Sequence, residues 1–190
     1  MTNTFVDENE SAIPILPGNY PAHVSTLESK DVTTKFGDKK VFNIGFRIAE
    51  QVVSMKMVKH EYVDNELVPI IENGKEVEID GSFMKDKTFT STGLWLTENP
   101  PVERAWENKG YLKFFQSMGI VFPQAEDGRT QLAEVEEEDI IGLPVYVKLD
   151  KEEYTNKDGE ERTAWRVFSV KQWKDGQRLS SEEMGDDVPF

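Results

Sequence analysis

The chain has 190 residues, which is enough for one domain of ordinary size or two very small ones. It contains no cysteine, and this excludes disulfides, thiol catalysis and metal sites built on cysteine. Its 36 acidic residues exceed its 22 basic residues, which gives a formal net charge of −14. No apolar run approaches the roughly 18–20 residues of a membrane span, and the N-terminus shows no secretory signal. We therefore expect a cytoplasmic protein.

The acidic charge is concentrated in three segments of the chain. Residues 1–12, 124–140 and 174–190 together carry −12 of the net −14. In contrast, the stretch from Lys30 to Tyr62 holds seven bases and four acids. Because binding responds to the local field, the total charge does not exclude a nucleic-acid partner.

The first half of the chain predicts strands. Residues 1–15 are typical of a flexible arm, and the first strand covers Tyr20 to Leu27. A turn at 34–38 precedes a strand over Lys39–Glu50, where strict alternation indicates one buried face. That face consists of Phe42, Ile44, Phe46 and Ile48. An inserted hairpin is expected at about 65–80, turning at Asn73-Gly74, and a long strand follows over 83–96.

The second half predicts one helix and two further strands. The helix begins after Pro100-Pro101 and ends at Gly119. Residues 124–140 are predicted to be an acidic loop. Strands over 143–149 and 163–173 flank a polar hairpin that turns at Asp158-Gly159, and residues 174–190 are predicted to be a disordered acidic tail.

This order of elements predicts a mostly β fold. Three strand units, one helix and two strands match the OB-fold, a five-stranded Greek-key barrel with a helix between strands 3 and 4. We expect this domain to span residues 16–173. A β-sandwich with one surface helix is the competing architecture.

Patterns typical of enzymes are scarce. The two histidines, His23 and His60, lie far apart without metal-ligating neighbours at helical spacing, and neither a phosphate-binding loop nor a nucleophile elbow is present. Adjacent carboxylates at 136–139 are more typical of a solvated surface than of a Mg²⁺ site. The sequence therefore predicts no catalytic residue, no metal and no cofactor.

The C-terminal tip has a mechanism for binding a protein partner. Phe190 can fill an apolar pocket, its carboxylate can meet a basic side chain, and the acids before it steer toward a basic rim. The residues concerned are Asp186, Asp187, Val188, Pro189 and Phe190. This tip resembles the Asp-Asp-Ile-Pro-Phe end of bacterial single-stranded-DNA-binding proteins.

The body of the chain resembles phage-encoded single-stranded-DNA-binding proteins of the OB-fold type. The similar pieces are Gly18-x-Tyr20, Gly37, Phe42-x-Ile44-x-Phe46-x-Ile48, Gly93-Leu94-Trp95-Leu96, Met118-Gly119, Gly142-x-Pro144-Val145-x-Val147 and Asp158-Gly159. The resemblance implies a protein that coats and protects single strands during replication, recombination and repair. It further implies that the tip recruits a helicase, nuclease, recombinase or polymerase.

A binder of single strands needs basic side chains for phosphates and exposed rings for bases. We expect both on the second and third strands and on the loops beside them, whereas Trp95 is expected to pack between Leu94 and Leu96. The predicted DNA-binding residues are Lys35, Phe36, Lys39, Lys40, Asn43, Arg47, Lys56, Lys59, Phe83, Lys85, Lys87, Phe89, Tyr154, Arg162 and Trp165.

Two other classes of function are considered. An acidic DNA mimic that inhibits a host enzyme is favoured by the net charge but needs an ordered acidic face. A Mg²⁺-dependent nuclease would need clustered carboxylates together with a His, a Lys or a paired acid for catalysis, and the sequence shows no such group. Affinity for single strands separates the first of these from the leading hypothesis, and metal-dependent cleavage tests the second.

Overall fold

The computed structural model describes residues 13–185, and most of their regular structure is β. The twelve strands are β1 (Gly18–Thr34), β2 (Gly37–Ile48), β3 (Lys56–Val58), β4 (His60–Val63), β5 (Glu66–Pro69), β6 (Ile71–Glu72), β7 (Lys75–Glu76), β8 (Glu78–Asp80), β9 (Thr88–Ser91), β10 (Leu94–Thr97), β11 (Pro144–Thr155) and β12 (Glu161–Gln172). The α-helices are α1 (Lys109–Ser117), α2 (Glu137–Ile140) and α3 (Ser181–Met184), and 3₁₀ helices cover Glu50–Ser54, Gly81–Met84 and Val102–Asn108. None of the helices within 13–185 has the length and apolar composition needed to cross a bilayer.

The long strands close into a barrel. β1 pairs with β2 on one side and with β11 on the other, β11 pairs with β12, and β12 runs parallel to β9. β9 and β10 both lie along β2 and act as one interrupted strand, so the barrel has five strands. This closed ring, with α1 between the third and fourth strands, is consistent with an OB-like barrel and favours it over a β-sandwich.

The interior of the barrel follows the predicted alternation. Phe42, Ile44, Phe46 and Ile48 are each at most 1% exposed, as the pattern of β2 predicts. They pack with side chains from all the other strands of the barrel and with the apolar face of α1. Consequently the intervening residues of β2 point away from the core.

The insertion between β2 and β9 is larger than the predicted hairpin at 65–80. Its stem pairs β3 with β8, and two hairpins branch from the stem, β4–β5 and β6–β7. The predicted turn at Asn73-Gly74 is confirmed, and β6 pairs with β7 across it, but the earlier residues Glu66–Pro69 pair with β4 instead of with the chain after the turn. The predicted strand over 83–96 is also wrong at its start, because Phe83 lies in a 3₁₀ helix whose cap is the Asp80 side chain.

The predicted helix over 100–119 is divided in two. Its first part is the 3₁₀ helix Val102–Asn108, and its second part is the α-helix α1. The helical segment ends at Gly119, which has a φ of +95°. The tighter winding aligns side chains three residues apart. At the junction, the buried Asn108 side chain accepts from the Thr97 backbone N–H (2.8 Å) and donates to the Thr97 carbonyl (3.0 Å).

The acidic segment 124–140 is mostly irregular, as predicted, but its end is ordered. The chain forms α2, and Tyr111 of α1 fixes the preceding residues by donating to Ala133 O (3.2 Å) and accepting from Val135 N (2.9 Å). Burial raises the pKa of Tyr111 to about 12. The Tyr111 hydroxyl therefore anchors the loop together with the buried side chains of Val135 and Ile140.

The terminal segments differ from their predicted disorder where the structure describes them. Ile15 packs against the core and Leu16 is buried, so the predicted arm of residues 1–15 is ordered at its end. Residues 176–185, which we call the C-terminal clasp, lie against β1, β2 and the segment after α2. Residues 1–12 and the predicted partner-binding tip, 186–190, lie outside the described residues.

Three sets of hydrogen bonds hold the C-terminal clasp. Arg178 donates to the carbonyls of Glu138 (2.7 Å) and Ile141 (3.0 Å). The Leu179 N–H donates to Gly142 O (3.0 Å), and Arg47 donates to the carbonyls of Glu183 (3.2 Å) and Met184. The Met184 side chain is buried at the end of the segment.

Candidate nucleic-acid interface

The outer surface of β1, β2 and β10 carries a cation beside an exposed ring. The strand registers place Lys30 opposite Val41, and Val41 opposite Trp95. All three point away from the core, since their neighbours Phe42 and Leu94 are buried. Trp95 is 45% exposed, so the expectation that it packs in the interior is wrong.

An exposed glycine, Gly93, lies beside this row. A Cβ at Gly93 would lie 3.0 Å from Val41 Cγ2 and 3.9 Å from both Asn43 Oδ1 and Trp95 Nε1. Gly45, which the sequence suggested as the open position, is instead covered by Thr26, because a Cβ there would lie 2.2 Å from Thr26 Oγ1. Gly93 is exposed beside the indole ring, although Val41 fills part of the space above its backbone.

A β-bulge adds a second exposed ring. The register of β11 and β12 shifts where Lys148 pairs with Ser169 and Leu149 pairs with Val167, so Phe168 has no partner and is 42% exposed. The Thr92 N–H donates to Val167 O (3.3 Å), which places Phe168 beside Thr92, one residue from Gly93. Thr90 and Arg166 pair with each other beside the buried Phe89 and Val167, and Arg166 Nε lies 3.3 Å from a Glu152 carboxylate oxygen. We call the surface formed by Lys30, Val41, Asn43, Thr90, Gly93, Trp95, Arg166 and Phe168 the outer face.

Several predicted phosphate-binding cations near this face are held by carboxylates. Lys39 pairs with Glu107 at 2.8 Å, and Lys40 pairs with Glu134 at 2.8 Å. The hydrogen bond from Lys40 to Glu134 raises the pKa of the lysine. A phosphate would have to compete with these carboxylates, so these lysines offer less to DNA than their sequence positions suggest.

Glu107 is the centre of a polar cluster at the end of the outer face. Its carboxylate accepts from Lys39 Nζ (2.8 Å), Arg104 Nε (2.5 Å) and Thr97 Oγ1 (3.0 Å). The hydrogen bond from Lys39, supported by those from Arg104 and Thr97, lowers the pKa of Glu107 to about 2. The cluster ties the 3₁₀ helix Val102–Asn108 to β2 and β10 beside Trp95.

This lowered pKa predicts a pH-dependent contribution to stability. The Glu107 carboxylate should stabilise the fold above its ordinary pKa of 4.5, and this contribution should disappear as the pH falls through about 2. In Glu107→Gln the urea midpoint should therefore depend less on pH between about 4.5 and 2 than in the parent chain. Glu103→Gln, an exposed carboxylate on the same 3₁₀ helix, is the control. Equal pH dependence in the parent and Glu107→Gln would contradict this role.

Two hairpins extend from the barrel strands that carry the outer face. At the tip of β1–β2, Phe36 is 58% exposed, with Lys35 Nζ 4.9 Å and Arg104 Cζ 5.3 Å from its ring centroid. In the β11–β12 hairpin, Tyr154 is exposed, and Arg162 pairs with Glu160 at 2.6 Å. The predicted residues Phe36 and Tyr154 are therefore accessible, whereas the Arg162 guanidinium is held in an ion pair.

Other predicted residues lie elsewhere. Phe89 is buried in the core, and Phe83 and Trp165 are partly buried against it, so their rings are not free faces for bases. Because 81–84 form a 3₁₀ helix, the predicted strand face that alternates aromatic and basic residues is absent from this part of the structure. The remaining predicted cations sit on the insertion or beneath the C-terminal clasp: Arg47, Lys56, Lys59, Lys85 and Lys87.

Each of the two histidines has a ring nitrogen close to a backbone carbonyl oxygen. His23 Nε2 lies 3.0 Å from Gln177 O beneath the C-terminal clasp, and burial lowers its pKa. His60 Nδ1 lies 2.8 Å from Val58 O. Within residues 13–185 the structure contains no group of three or more side chains arranged to hold a metal ion.

The sequence predictions do not include Lys30, Trp95 or Phe168, which the structure places on the outer face. The alternation of β2 alone marks Val41 and Asn43 as outward, but the register of the neighbouring strands is needed to place a lysine and two rings beside them. No protein-family model matches the sequence, and no curated protein matches it significantly.

Proposed function

We propose that the chain is a single-stranded-DNA-binding protein of the phage-encoded kind, and that single strands bind across the outer face. The observation that carries this proposal is the row formed by Lys30, Val41 and Trp95. A base can stack on the exposed indole while a phosphate meets the ammonium group on the far side of a small apolar residue.

The position of this row in the barrel supports the proposal. In OB-folds the face of strands 2 and 3, flanked by the hairpin loops, binds oligonucleotides. β2 and the interrupted strand β9–β10 occupy these places in the barrel described above. The exposed Phe36 lies at the tip of the hairpin that borders this face.

The electrostatics favour binding that depends more on stacking than on phosphate contacts. Among the described residues, Lys30 and Lys35 make no ion pair, whereas Lys39 and Lys40 are paired with glutamates. Each phosphate contact contributes about 0.7 to the slope of log K against log salt for single strands. We therefore expect a shallow salt dependence on a short oligonucleotide.

Fluorescence anisotropy of a labelled oligo-dT, titrated at two salt concentrations beside a duplex control, tests the proposal. Binding to the single strand alone, with moderate weakening at the higher salt, is the expected result. Absence of binding at low salt would overturn the proposal. The acidic DNA-mimic hypothesis would then be tested with enzymes that bind DNA.

We further propose that the tip recruits replication or recombination proteins. Residues 186–190 follow directly after Gly185, whose neighbour Met184 is anchored by Arg47 in the C-terminal clasp. The clasp would therefore attach the tip to the barrel next to Arg47.

A further inference from the structure

A cleft lies on the surface formed by β1, β11 and β12. It has a volume of about 430 Å³ and is lined by Asn19, Tyr146, Lys148, Ser169, Val170 and Lys171. The strand registers explain how these residues meet, since Asn19 pairs with Lys148, Lys148 with Ser169, and Tyr146 with Lys171. The cleft is thus built on regular strands, which hold its side chains at fixed spacings.

The chemistry of this cleft differs from that of the chain as a whole. Its lining contains two ammonium groups and no carboxylate, although the chain carries a net charge of −14. Tyr146 is 40% exposed, and its ring centroid lies 5.6 Å from that of Trp173, which supports it from one side. A polyanion with flat groups fits these features better than a neutral or cationic ligand.

The cleft is continuous with the outer face. Ser169 lines the cleft, and its neighbour Phe168 belongs to the outer face because of the β-bulge. With strands about 4.8 Å apart and about 3.3 Å per residue, the surface route from Trp95 over Phe168 to Tyr146 is about 25 Å long. At the rise of about 3.4 Å per nucleotide of a duplex strand, this route corresponds to about seven nucleotides, within the range for one OB-fold.

We propose that a single strand leaves the outer face over Phe168 and continues into this cleft. Its phosphates meet Lys148 and Lys171, a base stacks on Tyr146, and Asn19 and Ser169 offer hydrogen bonds to base edges. This inference rests on the proposed function, and it assigns to the same strand a second contact area on another side of the barrel.

A double variant tests this route with oligonucleotides of two lengths. Lys148→Ala with Lys171→Ala should weaken binding of an oligo-dT of about 16 nucleotides by tenfold or more. It should also make the salt slope less steep by about 1.4, which corresponds to two lost phosphate contacts. An oligo-dT of about five nucleotides, which the outer face can hold alone, should bind as it does to the parent chain.

The matched control removes the same charge from another surface. Lys109→Ala with Lys113→Ala deletes two exposed cations of α1 and should leave both affinities close to those of the parent chain. An unchanged affinity of the cleft variant for the long oligonucleotide would overturn the inference, as would an equal loss for both lengths. Failure of the parent chain to bind either length would instead overturn the proposed function.

Photocrosslinking of the unaltered chain provides a test that does not depend on variants. Oligo-dT carrying 5-bromodeoxyuridine should crosslink to Phe168 and Tyr146 when it is long, and only to residues of the outer face when it is short. Mass-spectrometric mapping that finds no crosslink in the cleft with the long oligonucleotide would overturn the inference.

Discussion

Replacing Trp95 with alanine should weaken the binding of a short oligo-dT by about 5- to 150-fold, because stacking contributes roughly 1–3 kcal/mol per base. The indole is 45% exposed and lies on an outer surface beside Gly93, so its removal should cost little stability. Anisotropy measures the affinity, and thermal unfolding checks that the fold is retained.

The control for this variant is a ring of similar exposure on the other side of the barrel. Tyr146→Ala should leave the affinity for the short oligonucleotide unchanged, because Tyr146 lies in the cleft and not on the outer face. Trp95→Phe should keep most of the affinity while reducing the quenching of tryptophan fluorescence by DNA. Equal affinities for the parent chain and Trp95→Ala would show that bases stack elsewhere.

Replacing Gly142 with alanine should displace the C-terminal clasp. The residue has a φ of +75°, and a Cβ there would lie 1.9 Å from the carbonyl oxygen of Leu179. Because that oxygen belongs to the backbone, no side-chain rotation relieves the contact. We expect faster tryptic cleavage at Arg178 and a loss of about 1.5–3 kcal/mol of stability from exposure of Met184, beyond the strain of the backbone itself.

A second glycine isolates the effect of the clasp. Gly128 has a φ of +80°, but a Cβ there would meet nothing within 4 Å, so Gly128→Ala carries backbone strain alone. The difference in Tm between the two variants should be several degrees, at about 2–4 °C per kcal/mol for a chain of this size. Equal Tm values and equal cleavage rates would contradict the assigned role of Gly142.

The sequence predicts those parts of the fold that depend on local pattern. The alternation of β2, the turn at Asn73-Gly74 and the helix end at Gly119 are confirmed, because each is determined by neighbouring residues. The mostly β composition and the barrel-like order of elements are confirmed for the same reason. The extent of the insertion was not predictable, because its β-branched segments do not specify which partner each strand takes.

The candidate site depends on contacts between distant parts of the chain. Trp95 faces outward because it alternates with the buried Leu94 and Leu96. Its position beside Val41 depends on the pairing of β10 with β2 after the break at Thr92 and Gly93, and the local pattern does not specify that register. The pairing of Lys39 with Glu107 joins residues 68 positions apart. Similarly, Arg47 is held by clasp carbonyls about 137 positions away, a contact that a polar segment with few apolar residues gives no reason to expect.

The Asn108 side chain protects one end of β10 from pairing with another copy of the protein. A strand edge with free N–H and carbonyl groups is a template for pairing with another chain. Asn108 occupies both groups of Thr97 at the end of β10, as a neighbouring strand would. Crowding brings the edges of neighbouring copies within reach of one another, and this side chain withholds the end of β10 from intermolecular sheet formation.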